Sequence, residues 1–231
     1  MPLHSIQLLA SGARLGLWHL QETTAALWPL LPRPAAYQPL LPITTHTARQ
    51  TQWLAGRVLV HELLAHFEAD NAPSSAIHLD NDPDGRPHLV GWPEAAVSLS
   101  HSGEWVAALL APAGRVGVDV ELVRDKARQL ARRFLSEAEL ATIPGAASSH
   151  YSLLWSAKET LYKLAAQRGL VFREHLLTAP FAVQTSGELL ANVHRASGQT
   201  RHRVCYMQPA PGYVLTYCHE PAPHSLISLS S

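Results

Sequence analysis

From Thr47 to Glu68, apolar residues return at helical spacing: Trp53, Val60, Leu63, Leu64 and Phe67 share a face with Gly56, and Arg57 and His61 lie one turn apart beside it. This spacing predicts an amphipathic helix. Further along, the period drops to two. Val97 and Leu99 alternate with Ser98 and Ser100, Trp105 to Ala111 is continuously apolar, and Val116 to Val123 alternates again. Three strands are predicted. The breaks at Ser102-Gly103-Glu104 and Pro112-Ala113-Gly114 are short enough for hairpins, so an antiparallel meander is expected.

Helical patterning resumes over Lys126–Phe134, then after Ser136-Glu137-Ala138-Glu139, which has the form of a capping box, and again from about His150 to Gln167, stopping near Gly169. Four short strands are then predicted at Phe181–Gln184, Leu189–His194, Arg203–Met207 and Tyr213–Cys218. Residues 29–42 hold Pro29, Pro32, Pro34, Pro39 and Pro42, which suits an extended connector, with regular structure beginning after it. Asn81-Asp82-Pro83-Asp84-Gly85-Arg86-Pro87 is concentrated turn chemistry and predicts a loop. Helices with antiparallel strands recur in both halves, so the class is α+β. No internal repeat is visible, and the Pro/Ser-flavoured tail after Glu220 is expected to fray.

Composition narrows the function classes. The 231 residues are 47% hydrophobic and 16% charged, as in a compact globular protein. Net charge is zero, so no global basic field exists to gather nucleic acid, and an anionic ligand must be gripped locally. The fourteen histidines fall into no repeated metal-ligand spacing. Only Cys205 and Cys218 occur, too few for a disulfide framework. The start lacks a basic n-region and no apolar run reaches the roughly 20 residues a bilayer requires, so a cytoplasmic protein is expected.

In Gly117-Val118-Asp119-Val120-Glu121-Leu122 the two carboxylates lie two residues apart on a strand and project from one face. Their repulsion would be relieved by a hard cation such as Mg²⁺, or by solvent if the face is open. On the helix through Trp155-Ser156-Ala157-Lys158-Glu159-Thr160-Leu161-Tyr162-Lys163, the stripe Leu153, Leu154, Ala157, Leu161, Leu164 and Ala165 is apolar, which sends Trp155, Glu159, Tyr162 and Lys163 to the other side. Glu159 and Lys163 also suit a plain i,i+4 pair. Ser100-His101-Ser102-Gly103 ends a strand with a His and hydroxyls at a turn, where a phosphate could be held, and Arg49, Arg57 and Arg86 are further phosphate candidates.

Taken in order, Gly85-Arg86-Pro87, Ser100-His101-Ser102, Gly117-Val118-Asp119-Val120-Glu121 and Trp155-Ser156-x-Lys158-Glu159-x-x-x-Lys163 resemble the 4′-phosphopantetheinyl transferase superfamily, in its long, single-chain class. The resemblance runs from about Arg49 to Leu170. It implies two similar α+β halves related by a pseudo-two-fold axis, divided here as 1–112 and 113–231, with coenzyme A in the cleft between them. It implies that Asp119, Glu121 and Glu159 bind Mg²⁺ and that Lys163 neutralises the pyrophosphate; the attacking serine must lose a proton, and Glu159, a carboxylate near the metal, is the candidate base, directly or through a metal-bound water, ahead of Lys158. His101 with Ser100, and Arg49 or Arg57, would hold the 3′-phosphate, and Arg86 would border the nucleotide. The partner would be an apo acyl or peptidyl carrier protein, and the chain would act as a monomer without nucleic acid or membrane; the sequence offers Arg124, Lys126, Arg128, Arg132 and Arg133 as a basic cluster for such a partner, equally readable as an ordinary solvated helix face. Arg86 stands where Lys is commoner, Ser98 where Asn is usual, and His61 where a basic residue is frequent. Those departures motivate the alternative of a coenzyme A-binding member that has lost turnover; a metal-dependent phosphohydrolase using the same acids is a third reading.

Overall fold

The computed structural model describes residues 3–44, 46–68, 77–143, 145 and 147–222. These form two compact units, one taking the residues up to Arg115 and those from Glu220 on, the other Val116–His219. In the first unit, chain order is β1 (Leu3–Leu8), β2 (Arg14–His19), α1 (Thr24–Leu27), α2 (Pro34–Tyr37), α3 (Thr47–Glu68), β3 (His78–Asn81), β4 (Pro87–Val90), β5 (Ala96–Ser102) and β6 (Trp105–Ala111). The second holds β7 (Arg115–Leu122), α4 (Asp125–Gln129), α5 (Ala131–Phe134), α6 (Glu137–Thr142), α7 (Ser148–Ala165), α8 (Phe172–His175), β8 (Leu176–Thr178), β9 (Ser186–Arg195), β10 (Gly198–Met207) and β11 (Tyr213–Glu220). The α+β class expected from the sequence is what the structure has.

The first unit carries a four-stranded sheet in the order β1-β2-β6-β5, its neighbours antiparallel. Helix α3 lies on it. Leu54, Leu59 and Leu63 are fully buried among Trp18, Ala108 and Leu110, which is what the apolar face of α3 predicts. Strands β1 and β2 were not expected. Leu3, Ile6 and Leu8 do not alternate, and β2 is buried on both faces, so neither strand carries the period-two signature. The proline-rich segment is not extended either. It winds into short turns at 28–30, 34–37 and 38–40, with Pro34 first and Pro29 and Pro39 second in theirs, where a missing N–H costs nothing. The Asn81–Pro87 loop closes a two-stranded β3–β4 hairpin. Gly85 sits at φ +79°, and Asp82 Oδ1 accepts from the amides of Asp84 and Arg86, both at 2.8 Å.

The second unit has a five-stranded sheet in the order β7-β11-β10-β9-β8, covered by α7. Leu153, Ala157, Leu161 and Leu164 pack against Leu189, Ala191, Val193, Val204 and Val214. A neighbouring cluster gathers Phe134, Leu135, Ile143, Tyr151 and Leu154 beneath α5 and α6. The capping box is present: the Ser136 side chain accepts from the Glu139 amide, and Glu139 accepts from that of Ser136. Three local expectations fail. The strand after Pro112-Ala113-Gly114 does not continue a meander, since β7 pairs with β11 and β6 with β2 and β5. The 126–134 helix is broken at Leu130 into α4 and α5. Phe181–Gln184 is not a strand; the edge strand lies earlier, at β8, and the Phe181 ring packs on Tyr206. The expected tail lies mostly outside the described residues. Among those described, no helix is long and apolar enough to cross a membrane.

Candidate active site

Strand β7 is where the sheet of the second unit turns polar. Val118 and Val120 are fully buried on one face, so Asp119 and Glu121 project from the other, beneath α7. Around α7 burial is nearly complete, and Trp155, Glu159, Tyr162 and Lys163 alone from Tyr151 to Ala165 keep partial exposure. That is the stripe the periodicity separates from the core.

The stripe meets the acids directly. Lys163 Nζ donates to Asp119 Oδ1 at 2.8 Å and to the Val118 carbonyl at 2.9 Å, and the Trp155 indole N–H donates to Glu121 Oε1 at 3.2 Å. Asp119 is 4% exposed. Burial raises the Glu159 carboxyl to about 7, and the negative charges of Asp119 and Glu121 push the same way while Lys163 pulls it down. Three carboxylates and one ammonium therefore share a single electrostatic site. The i,i+4 reading of Glu159 with Lys163 gives way, because the ammonium reaches across to the strand instead. Among the described residues, no three acid, His or Cys side chains already converge in metal-ligating geometry.

Lys158, adjacent in sequence to Glu159, belongs to a different network. Its side chain is fully buried, with Nζ 2.8 Å from Glu139 Oε2 and 3.3 Å from the Phe172 carbonyl. Glu139 also accepts from Ser136 N and Oγ and from Thr178 N and Oγ1. Burial pushes the Glu139 carboxyl up, but the Lys158 charge and these donors outweigh it and hold the pKa below its ordinary value. The pair pins α6, α7 and β8 together, with the Lys158 side chain wholly out of solvent.

The first unit brings together part of the remaining predicted set. Arg57, Ser100 and His101 line one pocket of about 210 Å³ with Trp53, Gly85 and Pro87. Arg57 is 5% exposed, its guanidinium 3.4 Å from the Trp53 ring centroid and 2.9 Å from Asn81 Oδ1. Burial lowers it to about 10, so it stays cationic at neutral pH. Arg86 and Arg49 do not line this pocket: Arg86 reaches Asp84 at 3.8 Å, and Arg49 lies exposed at the start of α3. His61 is turned inward. Its Nε2 is 2.8 Å from the Tyr37 hydroxyl, and burial first, then the charges of Arg33 and His78, lowers it to about 4, so it supplies no positive charge.

Sequence reasoning missed two contributors. Trp155 was placed on the polar stripe without a partner, and its indole anchors Glu121. Gly117, two residues before Asp119 and on the same strand face, lies against the α7 backbone at Thr160 and Leu164; its signal is a glycine inside a strand pattern, which marks close backbone approach.

A model of the 4′-phosphopantetheinyl transferase superfamily matches residues 115–218, the stretch that contains the acids and α7. The chain is 26% identical over 187 residues to the 4′-phosphopantetheinyl transferase Sfp of Bacillus subtilis (strain 168), covering 77% of this chain and 78% of that one. It is 30% identical over 153 residues to the 4′-phosphopantetheinyl transferase psf-1 of Bacillus pumilus, covering 64% and 63%. Against the 4′-phosphopantetheinyl transferase AcpT of Escherichia coli (strain K12) it is 32% identical over 127 residues, covering 52% and 59%. The matches to psf-1 and AcpT thus span less than two thirds of those proteins. The resemblance carried by the motifs is borne out: this chain is similar to 4′-phosphopantetheinyl transferases.

Proposed function

We propose that this chain transfers the 4′-phosphopantetheine group of coenzyme A to a serine hydroxyl of an apo acyl or peptidyl carrier protein, releasing 3′,5′-ADP. The observation that carries the reading is the electrostatic group of Asp119, Glu121 and Glu159, with Lys163 bonded to Asp119, within the segment that the superfamily model matches. Hard carboxylate oxygens suit Mg²⁺, and both the burial and the repulsion from Asp119 and Glu121 that raise Glu159 are what a cation would offset. The donor set therefore fits the ion, with Asp119, Glu121 and Glu159 as its holders. When bound, it would neutralise charge on the pyrophosphate.

The chain's own groups supply the rest. The serine oxygen must bond to the phosphorus bearing the pantetheine arm while the bond from that phosphorus to the 3′,5′-ADP oxygen breaks. Glu159, a carboxylate of this group, would accept the hydroxyl proton, directly or through a water. Lys163 places a positive charge where negative charge grows on the leaving oxygen. Lys158 is excluded from proton transfer by its burial against Glu139. On this reading His101, Ser100 and Arg57 of the first unit contact the nucleotide and its 3′-phosphate, with Arg86 and Arg49 at greater remove. The carrier meets Arg124, Lys126, Arg128, Arg132 and Arg133, all exposed on and beside α4 and α5. Action in the cytoplasm and as a monomer belongs to the same proposal.

Intact-mass measurement of a panel of apo-carrier proteins with coenzyme A and Mg²⁺ tests it. The expected result is a gain of one phosphopantetheine that EDTA abolishes. Tight coenzyme A binding with no labelling of any carrier would favour the member that has lost turnover, and 3′,5′-ADP release without a carrier would favour the phosphohydrolase.

A further inference from the structure

Gly117 has no side chain at a place where one cannot fit. A Cβ built on it falls far inside contact distance of the Thr160 carbonyl oxygen and 3.1 Å from the Leu164 amide nitrogen. Both are helix backbone atoms, which cannot swing aside as a flexible side chain could. Thr160 follows Glu159 and Leu164 follows Lys163, so the turn of α7 resting on Gly117 is the turn that presents those two groups. Gly117, Asp119 and Glu121 share one face of β7, and the glycine therefore fixes how near the helix comes to the acids.

Hydroxyl groups hold the helix at that distance. Ser156 Oγ donates to the Asp119 carbonyl at 3.2 Å, and Thr160 Oγ1 donates to the Thr216 carbonyl at 3.1 Å. The Thr216 hydroxyl lies 2.9 Å from that of Ser156 and 2.7 Å from that of Thr160. All three side chains are fully buried. An apolar ridge of Leu or Ile there would hold the backbones apart at ordinary helix-on-sheet spacing.

We propose that Gly117 is a positioning residue. Its missing side chain sets the separation of α7 from β7, and so the placement of Trp155, Glu159 and Lys163 over Asp119 and Glu121. The proposal rests on the metal-dependent reading above for its consequence, though not for its geometry. Gly117→Ala, with Gly16→Ala as a control, tests it. Gly16 also sits under a helix, in β2, but its added Cβ would meet only the ends of Leu59 and Leu63, far in the sequence from the acids.

Two readouts are taken on folded protein: Mn²⁺ affinity, measured with the metal alone, and the indole ¹H–¹⁵N resonance of Trp155, which reports its bond to Glu121 without any metal. The expected result for Gly117→Ala is a loss of tenfold or more in Mn²⁺ affinity and a displaced Trp155 resonance, with Gly16→Ala unchanged in both. Folded Gly117→Ala with both readouts intact overturns the proposal. Should the parent bind no Mn²⁺, the metal reading falls, and the Trp155 resonance alone decides the positioning role: displaced, it stands; unmoved, it fails. If Gly117→Ala does not fold, Thr160→Val decides by the same criteria, since it releases the same turn from Thr216 and adds nothing at 117.

Discussion

Replacing Glu159 with Gln should make the metal-free protein more stable at alkaline pH, although the same change removes the proposed proton acceptor. The folded state raises the Glu159 carboxyl from 4.5 to about 7, so between those values the native chain holds a proton that the unfolded chain has released. The favourable contribution is complete below 4.5 and lost as pH rises through about 7. At roughly 1.4 kcal/mol per pKa unit the loss approaches about 3 kcal/mol, and partial exposure of the side chain trims it to about 2. Gln stays neutral throughout. Urea unfolding in EDTA should give parent and Glu159→Gln similar midpoints at pH 4.5, with the variant ahead by about 2 kcal/mol at pH 8, or roughly 4–8 °C in a thermal scan. Adding Mg²⁺ at pH 8 should raise the parent and leave the variant unmoved. A difference between the two proteins that stays the same from pH 4.5 to 8 would refute the reasoning, because the three acids would then not share one site.

Other consequences are as direct. Lys158→Met leaves the Glu139 carboxylate buried without its cation and should cost about 3–5 kcal/mol in urea unfolding; the surviving folded fraction should keep the parent's pH–rate profile, because Lys158 moves no proton. The His61 imidazole, lowered to about 4 chiefly by burial, adds stability that is complete above its ordinary 6.5 and disappears as pH falls through about 4. His61→Gln should therefore flatten the acid limb of unfolding followed by a probe in the first unit, and an unchanged limb would count against it. Arg128→Glu with Arg132→Glu should slow carrier labelling several-fold at low salt and spare coenzyme A affinity; equal loss of both would remove α4 and α5 as the docking face.

The acid-bearing strand and helix α7 are legible in the sequence because each announces itself locally. Asp119 and Glu121 alternate with buried valines, and Trp155, Glu159, Tyr162 and Lys163 fall opposite an apolar stripe. What the local pattern does not carry is pairing across the chain. β7 follows β6 after a turn-like Pro112-Ala113-Gly114, yet its partner β11 begins at Tyr213, and nothing between them in the sequence fixes that choice. The prolines of 29–42 misled for a different reason. A proline ends a helix when it falls inside one and starts a turn when it falls first, and only the fold decides which applies. Among the phosphate candidates, Ser100 and His101 at the end of β5 converge with Arg57 because β5 and α3 adjoin; Arg49 sits two turns before Arg57 on the same helix and does not line the pocket.

The deeper omission concerns how a polar strand face can be buried under a helix at all. Read as two stripes, apolar and functional, α7 explains Leu153 to Leu164 and Trp155 to Lys163 but leaves Ser156 and Thr160 as neutral filler. They form a third stripe. Fully buried, they face Gly117 and Thr216, where any longer side chain would force helix and sheet apart. Each hydroxyl finds a carbonyl or another hydroxyl, so burying them costs little. The small residues bring the backbones close, and the long ones, Glu159 and Lys163, then reach the acids from beside the contact. A cluster of three carboxylates on an otherwise well-packed unit is therefore a consequence of two short side chains and one absent one, residues that hydrophobic periodicity counts as silent.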